Sequence, residues 1–217
     1  GVNAQDVEAA RVHAAGLIIK DLPLLASNFR QSQSLSQYLV AEKTVAIANI
    51  DTRQLTRHLR TAGAQNGCIL GLAAGQAVTQ ALKDQAVAQA RSAPSMSGLD
   101  LAKVVTSSKR YDWTQTEWQL ANPALQGQPG YAEQTAPRFH VVAYDFGVKF
   151  NILRMLAERG CKVTVVPAQT SAADVLALKP NGVFLSNGPG DPEPCDYAIA
   201  ATRELVDTGI PTFGICL

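Results

Sequence analysis

The residues best suited to chemistry are one cysteine, Cys216, and a glycine-rich loop at residues 186–192. Cys216 follows a Gly-x pair at the end of a short apolar run, residues 210–215, which predicts a buried strand. A strand followed by Gly-x-Cys is the first half of a nucleophile elbow, a sharp and strained turn that exposes its nucleophile. The next backbone N–H, that of Leu217, could face a developing oxyanion. The alternative is a buried, inert cysteine at a strand end.

The loop at residues 186–192 contains two glycines, Gly188 and Gly190, and two prolines, so it is stiff and carries little side-chain bulk. Backbone N–H groups in such a loop can approach a ligand closely. Acyl transfer at a cysteine needs N–H donors beside its tetrahedral intermediate. The loop and Cys216 together therefore indicate a thiol acyl-transfer site. For the loop alone, an ordinary strand-to-helix turn is the alternative.

The elements that position these residues alternate between strand and helix from residue 139 onward. Apolar runs predict four strands, and amphipathic patterns predict three helices between them: strands at 139–144, 162–166, 182–185 and 210–215, and helices at 148–159, 171–178 and 196–207. This alternation predicts an α/β fold, the first half of a doubly wound, mostly parallel sheet with helices on both faces. Because ligands of such sheets sit outside the carboxyl ends of the strands, the loop and Cys216 should share one edge. We expect Cys216 to end a central strand.

Residues 1–120 predict a separate mixed α/β domain. The patterns give strands at 12–19, 45–50 and 68–72, helices at 34–39, 52–60 and 77–91, and a strand or hairpin at 111–120. Asp51 is the predicted N-cap of the second of these helices. Residues 121–138 are rich in Pro, Gly and Gln and lack periodicity, which predicts an interdomain linker before a second domain at 139–217.

Composition excludes several classes of protein. With 217 residues, 17% of them charged, and a net charge of +1, the chain lacks the basic stripe of a nucleic-acid or membrane-surface protein. No apolar run is long enough to span a membrane, and no signal peptide opens the chain. Four scattered cysteines without CxxC spacing predict reduced thiols and a cytoplasmic location. Because the chain starts without Met and ends at the elbow, we expect it to be a piece of a longer protein.

The loop and the elbow resemble those of the class I (triad) glutamine amidotransferases, whose elbow normally continues with Gly-His-Gln. Residues 141–149 (VVAYDFGVK) and 151–154 (NILR) resemble the first strand and helix of that domain in the small subunit of carbamoyl-phosphate synthase. Residues 49–57 (NIDTRQLTR) resemble the front domain of the same subunit, a segment without counterpart in other amidotransferases. The resemblance covers essentially the whole chain.

The resemblance implies a subunit that hydrolyses glutamine and passes ammonia to a large synthetase subunit. That partner uses ATP, magnesium and bicarbonate to make carbamoyl phosphate for arginine and pyrimidine synthesis, and no cofactor or metal is expected in the small subunit itself. It implies Cys216 as the nucleophile that forms a glutamyl thioester, Gly188 and Leu217 as oxyanion donors, and Gly190 as a glutamine-binding residue. The catalytic His and Glu of this family follow the elbow, so we expect the 217-residue chain alone to be inactive.

Two other functions stay open from the residues. The chain could be a non-catalytic module that binds a partner, or the amidotransferase of another pathway, such as anthranilate or guanylate synthesis. Cys195 could line the site, or it could be a small apolar residue at a helix start.

Two groups of polar residues are predicted to have no catalytic role. The histidines are predicted to be structural: His13, His58 and His140. Arginines at spacings of four and three line one helical face, which predicts a solvated face, with contact to an acidic partner as the alternative: Arg53, Arg57 and Arg60.

Overall fold

The computed structural model describes residues 1–216 and divides the chain into two compact units, Gly1–Ser95 and Met96–Leu217. The boundary therefore lies after Ser95, whereas the sequence predicted a domain at 1–120 and a linker at 121–138. The difference arises because residues 111–133, split between the predicted front domain and linker, form strands that pair within the second unit.

The first unit contains two short strands and three helices. In chain order they are a 3-10 turn Ala4–Asp6, β1 Gly16–Ile18, α1 Leu35–Ala41, β2 Val45–Ile47, α2 Thr52–Ala62 and α3 Gln80–Ser92. Strands β1 and β2 pair in parallel. The predicted strand at 68–72 was wrong: the described residues include no strand that pairs with it, and a strand needs such a neighbour for its backbone hydrogen bonds.

The helices of the first unit begin at capping side chains. Asp51 Oδ1 accepts a hydrogen bond of 2.9 Å from the N–H of Gln54, which confirms the predicted N-cap of α2. At α1 the Ser34 side chain accepts from the N–H of Gln37, whose side chain in turn accepts from the N–H of Ser34. These local bonds fix the starts of α1 and α2, which lie at or next to the starts predicted from the sequence.

The second unit is built on one five-stranded sheet. Its elements are α4 Ala102–Val105, β3 Tyr111–Trp113, β4 Gln115–Gln119, a 3-10 turn Pro123–Leu125, β5 Gly130–Glu133, β6 Phe139–Asp145, α5 Phe150–Glu158, β7 Cys161–Pro167, α6 Ala172–Ala177, β8 Gly182–Leu185, α7 Asp196–Asp207 and β9 Thr212–Gly214. The strand order is β3-β7-β6-β8-β9, and β4 and β5 form a separate antiparallel pair.

Strands β7, β6, β8 and β9 are mutually parallel, which confirms the predicted parallel sheet. Strand β3 adds an antiparallel edge beside β7. The prediction that Cys216 ends a central strand was wrong for the described residues, where β9 is the last strand of the order and pairs with β8 alone. Strand order depends on contacts between distant segments, so it cannot be inferred from each strand's own residues.

Apolar side chains cover both faces of the sheet. Alternate residues of β6 point to opposite sides: Val142 and Tyr144 pack with α6 and α7 in one core, whereas Ala143 packs with α5 in the other. Both Val142 and Ala143 are fully buried. The predicted helices on both faces are thereby confirmed.

Within residues 1–216, every helix is too short or too polar to cross a membrane.

Candidate active site

The loops after β6, β8 and β9 leave the sheet at the same edge. In the parallel register Tyr144 lies beside Leu185, and Leu185 lies beside Gly214. The loop at residues 186–192 therefore begins one position past the carboxyl edge of the sheet, and Cys216 lies two positions past it. This confirms that the two predicted parts of the site share one edge of the sheet.

Cys216 has the backbone geometry of a strained turn. Its φ is +71°, a left-handed conformation that non-glycine residues seldom adopt, and its side chain is exposed. The preceding residue, Ile215, still belongs to the sheet edge, because its N–H donates to the carbonyl of Leu185 over 3.1 Å. Such strain costs about 1–3 kcal/mol and is concentrated at functional sites. The positive φ of Cys216 agrees with the predicted strained turn, whereas Leu217 lies outside the described residues.

The glycine loop is anchored to the loop after β6 by two polar side chains. The hydroxyl of Ser186, which is 1% exposed, accepts a 3.0 Å hydrogen bond from the N–H of Phe146 and donates to the carbonyl of Asn187. The Asn187 amide donates to the carbonyl of Gly147 over 3.0 Å. These bonds fix the start of the loop, immediately before Gly188. Neither side chain was predicted from the sequence as part of the site.

Two glycines are required by the geometry of these loops. Gly190 has φ +88°, and a Cβ placed on it would lie 3.2–3.3 Å from atoms of the Leu101 side chain. Gly147 has φ +119°, and its added Cβ would lie 2.9 Å from Val105 Cγ2 and 3.2 Å from Pro189 Cδ. At both positions the positive φ and the lack of room for a Cβ favour glycine. The first was predicted as part of the site; the second was not.

A buried carboxylate holds the loop after β6. Asp145, 6% exposed, accepts at Oδ1 from the N–H groups of Gly147 and Val148, each at 2.9 Å. Its Oδ2 accepts from the N–H of Ser107 at 2.8 Å. One side chain thus satisfies three backbone donors from two separate segments. A carboxylate directly after a predicted buried strand was the signal that could have identified it.

Cys195 is a buried residue beneath the glycine loop. Its thiol, 2% exposed at the N-cap of α7, donates to the Asp100 carboxylate over 3.5 Å. Burial raises the pKa of the Cys195 thiol, and the nearby carboxylate raises it further. A thiol of this kind is protonated at neutral pH and is a poor nucleophile. The structure therefore favours the structural alternative for Cys195.

His140 lies at the amino end of β6, the edge opposite Cys216. Its Nε2 is 2.9 Å from the hydroxyl of Thr164. Burial lowers the pKa of His140, and the charge of Lys162 lowers it further. These contacts agree with the predicted structural role. His13 and His58 belong to the first unit.

The lowered pKa of His140 should make the second unit less stable in mild acid. The unfolded chain binds a proton near pH 6.5, whereas the folded chain binds it only at lower pH, so stability falls as pH drops below about 6.5. In His140→Gln the urea midpoint should change less between pH 7.5 and 5.5 than in the wild type. His58→Gln, on the exposed face of α2, is the matched control. Equal pH dependence in His140→Gln and wild type would contradict the expectation.

Two family models match the chain. The model for the glutamine amidotransferase class-I domain matches residues 142–217, the part that contains most of the parallel strands, the glycine loop and Cys216. The model for the carbamoyl-phosphate synthase small chain, CPSase domain, matches residues 1–69. The second match covers the segment around Asp51 that resembled the same family.

Curated relatives are similar in sequence to this chain over its whole length. It is 66% identical to the carbamoyl phosphate synthase small chain of Rubrivivax gelatinosus, 67% identical to that of Ralstonia nicotianae and 58% identical to that of Pseudomonas aeruginosa. Each comparison includes 100% of this chain and 54–55% of the relative, so the chain spans about half the length of the curated relatives it matches. Over its whole length the chain is therefore similar to carbamoyl-phosphate synthase small chains.

Proposed function

We propose that this chain carries the nucleophile of a glutamine-hydrolysing enzyme and belongs to the subunit that supplies ammonia to a large synthetase chain. The observation that carries the proposal is the left-handed, exposed Cys216 beside the glycine loop at one sheet edge. The family match and the names of the relatives support it. The match at residues 1–69 argues against an amidotransferase of another pathway.

In the proposed reaction Cys216 Sγ bonds to the side-chain amide carbon of glutamine, and the C–N bond breaks. The thiol proton leaves with the released ammonia, and a glutamyl thioester remains. Water then cleaves the thioester, which yields glutamate and restores the thiol. The N–H groups of Gly188 and Leu217 are assigned to the oxyanion, and Gly190 to the bound glutamine. Stiff backbone donors suit this role because they need little reorganisation during the reaction.

The large chain is assigned the rest of the chemistry. It would use ATP, magnesium and bicarbonate, together with the ammonia, to form carbamoyl phosphate for arginine and pyrimidine synthesis. We assign no cofactor or metal to the small chain, and a cytoplasmic heterodimer is the proposed assembly. All four cysteines are free thiols, in keeping with a reducing compartment.

The experiment that tests the function is a comparison of two nitrogen donors. The full-length small chain, assembled with its large chain, should make carbamoyl phosphate from either glutamine or ammonia. The large chain alone should use ammonia only. Failure of the assembled pair to release ammonia from glutamine would refute the proposed function.

The first unit is the candidate for contact with the large chain, because large apolar side chains are exposed within residues 22–29. Leu24, Leu25 and Phe29 are 100%, 85% and 80% exposed. Exposed apolar clusters commonly mark interfaces. The arginines of α2 are also exposed, as both alternatives for them require: Arg53, Arg57 and Arg60.

Changing Leu24, Leu25 and Phe29 together to serine should weaken binding of the large chain by about tenfold or more, since buried anchors dominate interface energies. Binding would be measured by titration of the two full-length chains. The matched control changes two exposed valines of the same unit, Val78 and Val87, to serine. Unchanged affinity in the triple variant would assign the docking surface elsewhere.

A further inference from the structure

Residues 98–107, here called the support segment, lie against the glycine loop from inside the second unit. The N–H of Gly98 donates to Asp191 Oδ2 over 3.3 Å. The side chain of Leu101 fills the space beside Gly190, with three of its atoms 3.2–3.3 Å from where a Cβ on that glycine would stand. The conformation of the glycine-proline loop is therefore limited by this segment as well as by its own residues.

The other end of the support segment holds the neighbouring loops. Val105 packs against Gly147, and the N–H of Ser107 donates to Asp145, as described above. The hydroxyl of Thr106 accepts a 2.9 Å hydrogen bond from the N–H of Ala168, just after β7. This ten-residue segment thus contacts the loops that follow β6, β7 and β8. They fall outside both ranges matched by the family models, residues 1–69 and 142–217.

Asp100 is the polar centre of the support segment. Its side chain is 14% exposed and accepts at Oδ1 from the Tyr197 hydroxyl at 3.2 Å, from the N–H of Lys103 at 3.1 Å and from the Cys195 thiol. The Lys103 ammonium lies 2.9 Å from Oδ2. Burial opposes ionisation of Asp100, but the hydrogen bonds from Lys103, Cys195 and Tyr197 outweigh it and lower the pKa of the carboxyl. The carboxylate therefore connects the segment to the start of α7, directly after the glycine loop.

We propose that Asp100 is a positioning residue for glutamine. Together with Leu101, it fixes the position of the Gly188–Gly190 backbone relative to Cys216. The proposal rests on the proposed function, since it assumes that this loop binds glutamine. Neither residue contacts the reacting atoms in this assignment; both act through the loop. Catalysis of this type is sensitive to placement, because an error of about 1 Å can cost roughly 100-fold in rate.

The test measures glutamine hydrolysis by the assembled full-length pair carrying Asp100→Ala. We expect the KM for glutamine to rise and kcat/KM to fall by roughly tenfold or more. Leu101→Ala, which removes only the apolar support of Gly190, should change KM in the same direction. The matched control is Asp207→Ala, an exposed residue at the last position of α7, which should leave both constants unchanged.

The split between KM and kcat separates positioning from mere stability. A variant that only reduced the folded fraction would lower apparent kcat at an unchanged KM. Carbamoyl phosphate synthesis from added ammonia should stay normal in all variants, because it bypasses glutamine. If the wild type hydrolyses glutamine but Asp100→Ala and Leu101→Ala both keep its KM, the inference is refuted while the proposed function stands. If the wild type does not hydrolyse glutamine, the proposed function itself fails.

Discussion

Cys216→Ser in the full-length small chain should reduce ammonia release from glutamine by roughly 1,000-fold or more, the scale of loss expected when a covalent nucleophile is removed. A serine hydroxyl at the same strained turn is a much weaker nucleophile than a thiol that can ionise. Ammonia would be measured with glutamine in excess, with the large chain present.

Three comparisons make the Cys216 result specific. Cys195→Ser and Cys161→Ser change two other thiols of the same unit, one buried and one half-buried. Both should retain most activity. Carbamoyl phosphate synthesis from added ammonia should be the same in Cys216→Ser and the wild type. Substantial glutamine hydrolysis by Cys216→Ser would show that this cysteine is not the nucleophile.

Asp145→Ala should lower the free energy of unfolding of the second unit by about 3–5 kcal/mol. The substitution leaves three backbone N–H groups without their acceptor, and each buried donor so stranded costs about 1–3 kcal/mol. Partial access of water to this edge of the sheet keeps the total below the simple sum. Urea denaturation of the 217-residue chain, followed by tryptophan fluorescence, is the measurement. Both tryptophans, Trp113 and Trp118, lie in the second unit and report on it alone.

The control for Asp145→Ala is the same change at Asp207. That carboxylate is exposed at the carboxyl end of α7, where negative charge gives no stabilisation. Asp207→Ala should therefore shift the urea midpoint little. A similarly small shift in Asp145→Ala would mean that water replaces the carboxylate as acceptor for all three N–H groups.

The second unit was the more predictable part of the fold because its central strands, β6 and β7, are largely buried on both faces. Residues 139–145 and 161–167 are nearly continuous apolar runs between helices with clear periodicity, and this is the pattern of a parallel sheet. The placement of the loop and the cysteine followed from the same rule, since the carboxyl ends of parallel strands share an edge. The strained turn at Cys216 was predictable because it is a local feature of Gly-x-Cys.

The parts that could not be predicted depend on contacts between distant segments. Strand β3 pairs with residues about fifty positions later, so its own three residues gave no indication of its partner. For the same reason the sequence did not predict that β5, in the predicted linker, pairs with β4, in the predicted front domain. At the site, the bonds from Gly98 to Asp191 and from Cys195 to Asp100 join residues more than 90 positions apart. No periodicity or motif in one segment records such a contact.

The left-handed backbone at Cys216 has an evolutionary consequence. At this position glycine would relieve the strain, so selection for stability and selection for activity favour different residues. A lineage that lost the need for glutamine hydrolysis would gain stability by replacing the cysteine with glycine while the rest of the sheet persisted. In a related protein, cysteine at this position therefore indicates selection for activity, and glycine indicates selection for stability.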